Sequence, residues 1–411
     1  MTTLLHTEVT TTPARPGSLR RRLAPLLVAT FLQGVGFWVP VEKLFMSQIG
    51  FTAAQIGVMA AVYAAVVPLL EVPAGLLADR WSRRGVLVLS SLALAATALV
   101  CGLSSSVSMY TAGAAGLGAY FALYSGSIDS VVYDTVLEET GSGDHFERQL
   151  GRVRALESAA LVSSALVGGW LAMLTSTRLM YFLTIPFTIA SIVAYLAFRE
   201  PRIHESAERT SLAEHVRQSV AAVRGNGALV PVIALTVLTS VALTLLFEFG
   251  PVWLVATASS ALLFGPHWAA LMSMLGFGGL LAGRLDASNP KHVSIAVGGL
   301  LAAAATLTVS RNVAVITAAQ AILVLLVVLT SIHAASLLHH EVASQVRASV
   351  SSAVSALSWI VFLPIAVGFG ALTDAMGIHT AGWILVVLAA GMSLILAAGR
   401  RPSTPATHRA G

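Results

Sequence analysis

The chain has 411 residues, of which 56% are hydrophobic and 10% are charged, and its mean hydropathy is +0.82. These values lie far outside the range of soluble globular domains and exclude that class. The net charge of +5 is small, and the single cysteine, Cys101, excludes an intramolecular disulfide.

Twelve apolar segments follow one another along the chain, and a helix needs ~20 mainly apolar residues to cross a bilayer. They lie near residues 23–45, 53–78, 85–104, 109–136, 153–175, 179–198, 228–255, 260–283, 293–310, 313–338, 349–372 and 380–398. The pattern predicts an all-α polytopic membrane protein, because helices satisfy their own backbone polar groups in lipid. A nucleic-acid partner is not expected, because the spans scatter the basic residues among separate loops.

The spans divide the chain into five regions. We predict an N-terminal tail, a six-helix half, a linker, a second six-helix half and a C-terminal tail, at residues 1–22, 23–198, 199–227, 228–398 and 399–411. Residues 1–22 are Thr-rich and basic and contain no short apolar core, so we expect no cleavable signal peptide.

The basic residues predict the orientation of the chain in the membrane. Three of the 24 Lys and Arg residues, Lys43, Arg178 and Arg311, fall on one side, and the remaining 21 fall on the other. The side rich in positive charge is cytoplasmic, so we expect both termini in the cytoplasm. The preference for Arg over Lys and the abundance of Ala suggest a GC-rich bacterial genome, and therefore a bacterial inner membrane.

The connection between spans 2 and 3, residues 75–84, carries the most specific motif of the chain. It combines a glycine, an aspartate and three arginines: Gly75, Asp79, Arg80, Arg83 and Arg84. This stretch resembles the signature Gly-x-x-x-Asp-Arg-x-Gly-Arg-Arg/Lys of the major facilitator superfamily, a family of secondary transporters, with Ser82 at the second glycine. The alternative is a generic positive cytoplasmic loop.

The resemblance implies a fold and a gate. In the superfamily two six-helix halves enclose a substrate site near the membrane midplane. It implies that Asp134, near the end of span 4, completes a charge lock with Arg80 or Arg83 that favours the outward-facing state. It also implies that Asp79 meets the start of helix 11. The alternative for Asp134 is a solvated charge at a helix end.

A partial repeat supports two halves. The residues 75–80 recur as 279–284, where Gly283 replaces the aspartate and Arg284 is kept, and Pro40 has a counterpart in Pro251. Between the halves, Ser211 and Glu214 form a capping-box pattern, and apolar residues then recur at helical spacing. We expect an amphipathic helix on the bilayer surface there, acting as a tether rather than a partner-binding element.

Three carboxylates in predicted spans are candidates for proton coupling, since an ionisable group in a span is costly and commonly functional. Glu248 ends a polar stripe on span 7, Asp129 lies deeper than Asp134 in span 4, and Glu71 lies between two prolines in span 2. A hydrogen bond to a neighbouring helix is the alternative for Asp129, and a structural role is the alternative for Glu71. Glu42 continues the spacing of Gly34 and Trp38 on span 1, and an outer-end ion pair with the adjacent Lys43 is its alternative.

Spans 1, 4, 7 and 10 line the central cavity in the superfamily, which directs attention to their polar, small and aromatic residues. The candidates for the cavity are Gly34, Trp38, Tyr120, Tyr124, Thr236, Ser240, Thr244, Gln320 and His333. The alternative is that the hydroxyl groups bond to their own backbone, as isolated Ser and Thr in spans often do.

No cofactor or metal is expected. The adjacent His339 and His340 point ~100° apart on a helix and rarely share a metal ion. Glycine clusters such as Gly276 to Gly279 lie in apolar helices, where close packing explains them better than nucleotide binding.

The sequence therefore predicts a monomeric transporter of a small molecule. Proton-coupled export of a small amphipathic molecule is the leading hypothesis, and import of a small polar nutrient is the second. A polytopic membrane enzyme is the third hypothesis, and no catalytic residue pattern supports it. In span 5, the run Ser164 to Gly169 keeps the final glycines of the drug-antiporter element but lacks its Gly-Pro, so the motifs identify the superfamily and not the cargo.

Overall fold

The computed structural model describes residues 16–142, 145–201, 227, 229–281, 289–342 and 347–398. Its helices are α1 (Pro16–Gln33), α2 (Glu42–Gln48), α3 (Ala53–Arg80), α4 (Arg83–Leu103), α5 (Val107–Thr140), α6 (Phe146–Leu174), α7 (Thr177–Ala197), α8 (Leu229–Ala256), α9 (Ala261–Leu281), α10 (Pro290–Val309), α11 (Val313–Glu341), α12 (Arg347–Met376), α13 (Ile378–Ala381) and α14 (Trp383–Ala398). A 3₁₀ turn, Val39–Val41, precedes α2. The described residues contain no strand, so the prediction of an all-α fold is confirmed.

Ten segments of the described chain are long and apolar enough to cross a membrane, the last of them formed by α13 and α14 together. The other two predicted spans are the first one and α5, which has 34 residues. The predicted continuous helix at 23–45 is wrong. Span 1 instead consists of α1, an unwound stretch at residues 34–38, the 3₁₀ turn and α2.

Polar residues fix where several spans begin. The hydroxyls of Ser106 and Ser176 accept hydrogen bonds from backbone N–H groups in the first turns of α5 and α7. Asn312 caps α11 in the same way. Such caps satisfy backbone donors that have no partner within the helix, and they fix the residue at which each helix begins.

The helices form a first group, residues 16–201, and a second group, residues 229–398. The groups meet where α3 begins and α12 ends. A Cβ atom at Gly57 would lie 2.4 Å from the carbonyl oxygen of Ala366, and one at Gly370 would lie 2.3 Å from that of Ala53. Only glycine permits this approach of two backbones, so we call this end of the bundle the closed end.

At the opposite end, where α1 begins and α14 ends, the two groups diverge. Leu69 of α3 is 72% exposed and Leu280 of α9 is 80% exposed. A Cβ atom at Gly75 or Gly276 would meet nothing within 4 Å. Gly75 therefore has no close neighbour in this conformation, and we call this end of the bundle the open end.

Several predicted features lie outside the described residues. They include residues 1–15, the capping box and amphipathic helix of the linker, Gly283 and Arg284 of the second motif copy, and residues 399–411. Described helices lie on either side of the linker in the chain.

Candidate functional site

A cavity of about 460 Å³ lies between the two helix groups. Residues of the unwound stretch of span 1 line it, and glycines at positions 34 and 36 together with Pro40 weaken helix formation there. The backbone N–H of Gly36 donates to Ser164 Oγ at 3.1 Å, and the N–H of Phe37 donates to Thr184 Oγ1 at 3.1 Å. Side chains of α6 and α7 thus hold the break open.

A cluster of three charged side chains lies at one wall of this cavity. Lys43 Nζ is 2.8 Å from Glu42 Oε2 and 2.9 Å from Glu248 Oε2. The Lys43 side chain is only 2% exposed, and the carboxylates are 13% and 14% exposed. Glu248 lies eight residues before the end of α8, or ~12 Å along the helix. The cluster is therefore inside the bundle and not at its surface.

Tyrosines occupy the remaining carboxylate oxygens of the cluster. Tyr63 OH donates to Glu248 Oε1 at 2.8 Å, and Tyr110 OH donates to Glu42 Oε1 at 2.9 Å. Tyr110 OH is also 2.8 Å from Tyr181 OH. One cation here balances two carboxylates, so the fully ionised cluster carries one excess negative charge. Such a charge is costly in a poorly solvated site, which favours binding of a proton or another cation.

Glu42 and Lys43 do form an ion pair, but it differs from an outer-end pair in two respects. It is buried, and Lys43 also bonds to Glu248 of the other helix group. Local sequence indicated the first contact because the residues are adjacent. The second contact joins positions 205 residues apart and depends on the packing of α2 against α8.

The other two candidates for coupling lie elsewhere. Asp129 Oδ1 accepts a hydrogen bond from Arg154 Nη2 at 2.7 Å, and its side chain is 45% exposed. This is the alternative that the sequence left open, a hydrogen bond to a neighbouring helix. Glu71 is exposed, has no partner among the described residues and does not line the cavity. Of the three, only Glu248 lines the cavity.

The predicted cavity residues separate into three sets. Gly34, Trp38, Tyr120 and Tyr124 line the central cavity. Thr236, Ser240 and Thr244 line a second cavity of about 320 Å³ between α8, α11 and α12. Gln320 and His333 line neither, and Gln320 Nε2 instead donates to the carbonyl of Gly250 at 3.2 Å.

The polar stripe on α8 is therefore not one surface. Residues four apart drift by ~40° around a helix, so three steps from Thr236 to Glu248 rotate the side chain by ~120°. Thr236 and Thr244 also donate their hydroxyls to the backbone of α8 at 2.9 Å. The stripe divides between two cavities, with Thr236, Ser240 and Thr244 lining one and Glu248 lining the other.

The motif at residues 75–84 forms a charge contact with α5. Arg83 pairs with the carboxylate of Asp134, which is 8% exposed, and it also donates to the carbonyl of Ser130 at 3.4 Å. Asp79 is 62% exposed and its Oδ1 is 3.9 Å from Arg83 Nη2. Arg80 is exposed and has no partner among the described residues. Arg83, and not Arg80, is thus the partner of Asp134.

The start of helix 11 of the superfamily corresponds to the start of α12. Its first side chains, residues 347–349, lie outside the described side chains, so the expected contact of Asp79 with this helix stays a prediction.

Sequence reasoning missed two carboxylates that fix helix ends. Glu200 accepts hydrogen bonds from Ser82 Oγ at 2.6 Å and from the N–H groups of Arg83 and Arg84 at 2.6 and 3.3 Å. It thereby caps α4, where the helix dipole favours a negative charge. Arg84 donates to the carbonyl of Phe198 at 3.3 Å, which holds the two connections together. No local pattern pairs these distant positions.

Asp374 is the second missed residue. Its carboxylate accepts hydrogen bonds from the N–H groups of Ala53 at 2.7 Å and Ala54 at 2.9 Å. An aspartate of α12 therefore caps α3 of the other helix group at the closed end. In the sequence, only its position just after a predicted span indicated that Asp374 could act at the end of the bundle.

The described part of the chain contains no group of three His, Cys, Asp or Glu side chains that could hold a metal ion. The side chains of His339 and His340 lie outside it.

Comparisons with known proteins agree with this architecture. A sequence model described as Major Facilitator Superfamily matches residues 26–363, and no curated protein matches the chain. The chain superposes on the nucleoside transporter NupG with a TM-score of 0.74 and 13% identity, covering 93% of this chain and 98% of that one. It superposes equally, at 0.74 and 13%, on a bacterial homologue of the human lysosomal transporter Spinster in an inward-facing, unoccupied conformation, covering 95% and 100%.

A third solved structure is a D-xylose-proton symporter, with a TM-score of 0.67, 11% identity and coverage of 91% and 97%. At these identities the structural likeness shows the fold and does not assign a cargo.

Proposed function

The chain belongs to the major facilitator superfamily and is a transporter rather than an enzyme, and on this premise we propose that it exports a small amphipathic molecule in exchange for protons. The observation that carries the proposal is Lys43 held between Glu42 and Glu248 inside the bundle. The apolar and aromatic lining of the cavity supports an amphipathic cargo.

Glu248 is proposed as the coupling residue. It belongs to the second helix group, whereas Lys43 and Tyr63, its two partners, belong to the first. A proton on Glu248 removes one charge from the contact between the groups and weakens it. The two groups can then separate at the closed end, so proton occupancy and the direction of opening are linked.

The open end is proposed to face the cytoplasm of a bacterial cell, because both termini and most basic residues lie on that side. The described conformation is then inward-facing. Arg83 and Asp134 lie at this end, where their contact can stabilise the arrangement of α4 and α5 as the groups move.

Proteoliposomes with an imposed pH gradient test the proposal. We test a panel of labelled amphipathic compounds. We expect the protein to move one of them up its own concentration gradient while protons flow down theirs in the opposite direction. Glu248→Gln should abolish this accumulation and keep exchange of cargo without a gradient. Glu147→Gln, which removes an exposed charge at the start of α6, is the matched control.

Two outcomes would contradict the proposal. Accumulation by Glu248→Gln equal to that of the unmodified protein would remove Glu248 from coupling. Transport of neutral polar nutrients in the same direction as the protons would favour import, the second candidate function. The cavity lined by the hydroxyls of Thr236 and Ser240 could serve that function.

A further inference from the structure

The central cavity has an excess of negative charge that goes beyond proton coupling. Lys43 is shared between Glu42 and Glu248. Arg154 and Glu157 also line the cavity and pair with each other at 3.2 Å, whereas Asp129 lies outside the lining. One negative charge, that of the Glu42–Lys43–Glu248 cluster, is therefore left over in the cavity when all groups are ionised. A cavity with poorly solvated walls amplifies this field and attracts cations.

The break in span 1 adds a second source of negative potential. The carbonyl groups of Gly34 and Val35 accept no hydrogen bond from any described group, and both residues line the cavity. The break also places the carboxyl end of α1, the negative end of its helix dipole, at the cavity wall. Broken helices in membranes bind cations through such freed carbonyls and half-helix ends.

Aromatic side chains line the rest of the cavity. Tyr120 and Tyr124 are stacked with ring centroids 5.6 Å apart, and Phe247 and Trp268 are stacked at the same distance. These two pairs belong to different helix groups and both line the cavity. Aromatic faces hold planar apolar groups, and they also attract cations.

We propose that this cavity binds an organic monocation, in which an ammonium group is attached to a planar apolar body. The ammonium N–H groups reach the carbonyls of Gly34 and Val35 and the excess carboxylate of the Glu42–Lys43–Glu248 cluster. The apolar body lies between the aromatic pairs. A volume of about 460 Å³ accommodates a molecule of this kind. The proposal deepens the proposed function and rests on it, because it names the class of cargo.

An anion is disfavoured because it would add to the uncompensated charge. A neutral polar molecule would leave that charge unbalanced. Since a proton and an organic cation neutralise the same cluster, they compete for it, and this competition gives the exchange of one for the other.

Calorimetric binding to the purified full-length protein in detergent at neutral pH tests the inference. The probes are 1-naphthylmethylammonium, 1-naphthylmethanol and 1-naphthoate, which share one ring system and differ in charge. We expect the ammonium compound to bind about tenfold or more tightly than the alcohol, and the carboxylate to bind more weakly than both. Because this comparison uses the unmodified protein, it does not depend on the folding of any variant.

Variants of the two carboxylates test whether they cause the preference for the ammonium compound. Glu42→Gln and Glu248→Gln should each reduce the advantage of the ammonium over the alcohol by about tenfold, with the affinity for the alcohol kept. The control Glu147→Gln should keep the full advantage. Equal affinity of the three probes, or displacement of the ammonium by sodium at equal concentration, would overturn the inference.

The two proposals fail separately. Equal binding of the three probes together with proton-driven accumulation of another cargo would overturn only the organic cation. Selective binding of the ammonium without any accumulation driven by a pH gradient would overturn only the proton coupling.

Discussion

Lys43 of α2 and Glu248 of α8 form an ion pair with 2.9 Å between Nζ and Oε2, and this pair joins the two helix groups beside the central cavity. Among the described residues no other ion pair connects the groups. The contact therefore reports directly on how the groups are arranged. A change of charge on either side chain therefore acts directly on a contact between the groups.

Replacing Lys43 by Met should destabilise the protein strongly, because it leaves two carboxylates buried without their cation. We expect a loss of about 3–5 kcal/mol in the free energy of unfolding, as for other broken buried ion pairs. The double variant Lys43→Met/Glu248→Gln should lose less than the sum of the two single variants. Unfolding in detergent, followed by intrinsic fluorescence, measures the difference. Strict additivity would show that the two side chains do not interact.

Neutralising the contact between Arg83 and Asp134 should impair transport and leave membrane insertion intact. Arg83→Gln and Asp134→Asn should each slow cargo uptake into proteoliposomes. The double variant should cost less than the sum, by about 1 kcal/mol in apparent activation free energy. Arg148→Gln, an exposed position without a described partner, is the control for loss of a cytoplasmic charge. Full activity of Asp134→Asn would exclude this contact from the gate.

Asp79→Asn should slow cargo uptake less than Arg83→Gln or Asp134→Asn does. Asp79 is largely exposed and lies 3.9 Å from Arg83, so its charge contributes little to the Arg83–Asp134 contact. A larger effect of Asp79→Asn on uptake would indicate that it acts in another conformation, as the family resemblance implies.

Asp374→Asn should loosen the closed end, because the neutral amide caps the first turn of α3 less well than the carboxylate. Loss of a helix cap costs about 1 kcal/mol, which corresponds to about a fivefold change in the ratio of two conformations. Spin labels at Val58 and Met376, both exposed near this end, should show a larger population of long distances. Thr373→Val is the matched control, since that hydroxyl bonds only to its own helix. An unchanged distance distribution would contradict a role in closure.

The topology follows from the distribution of the basic residues. Reporters at either terminus and in the linker should be cytoplasmic, and reporters beside Arg178 and Arg311 should be external. A reporter fused after Gly225 that proves external would overturn the orientation and, with it, the inward-facing description of the open end.

The membrane class, the helical fold and the family were available in the sequence because each depends on local pattern. Hydropathy over ~20 residues identifies a span wherever it occurs. The residues 75–84 form their motif within three helical turns. Gly34, Trp38, Tyr120 and Tyr124 were named as cavity candidates from the family resemblance, which specifies which spans line the cavity, and they line the cavity between the helix groups; their role there stays a prediction.

The candidate site itself depended on tertiary structure. Lys43 and Glu248 are 205 residues apart, and no spacing rule relates positions on different helices. The break at residues 34–38 arises where side chains of α6 and α7 replace the helical hydrogen bonds, which a sequence read as one continuous apolar segment does not reveal. The polar stripe on α8 divides between two cavities because side chains four residues apart are rotated by ~40° around a helix. Only the packing of the neighbouring helices decides which of these side chains faces the central cavity.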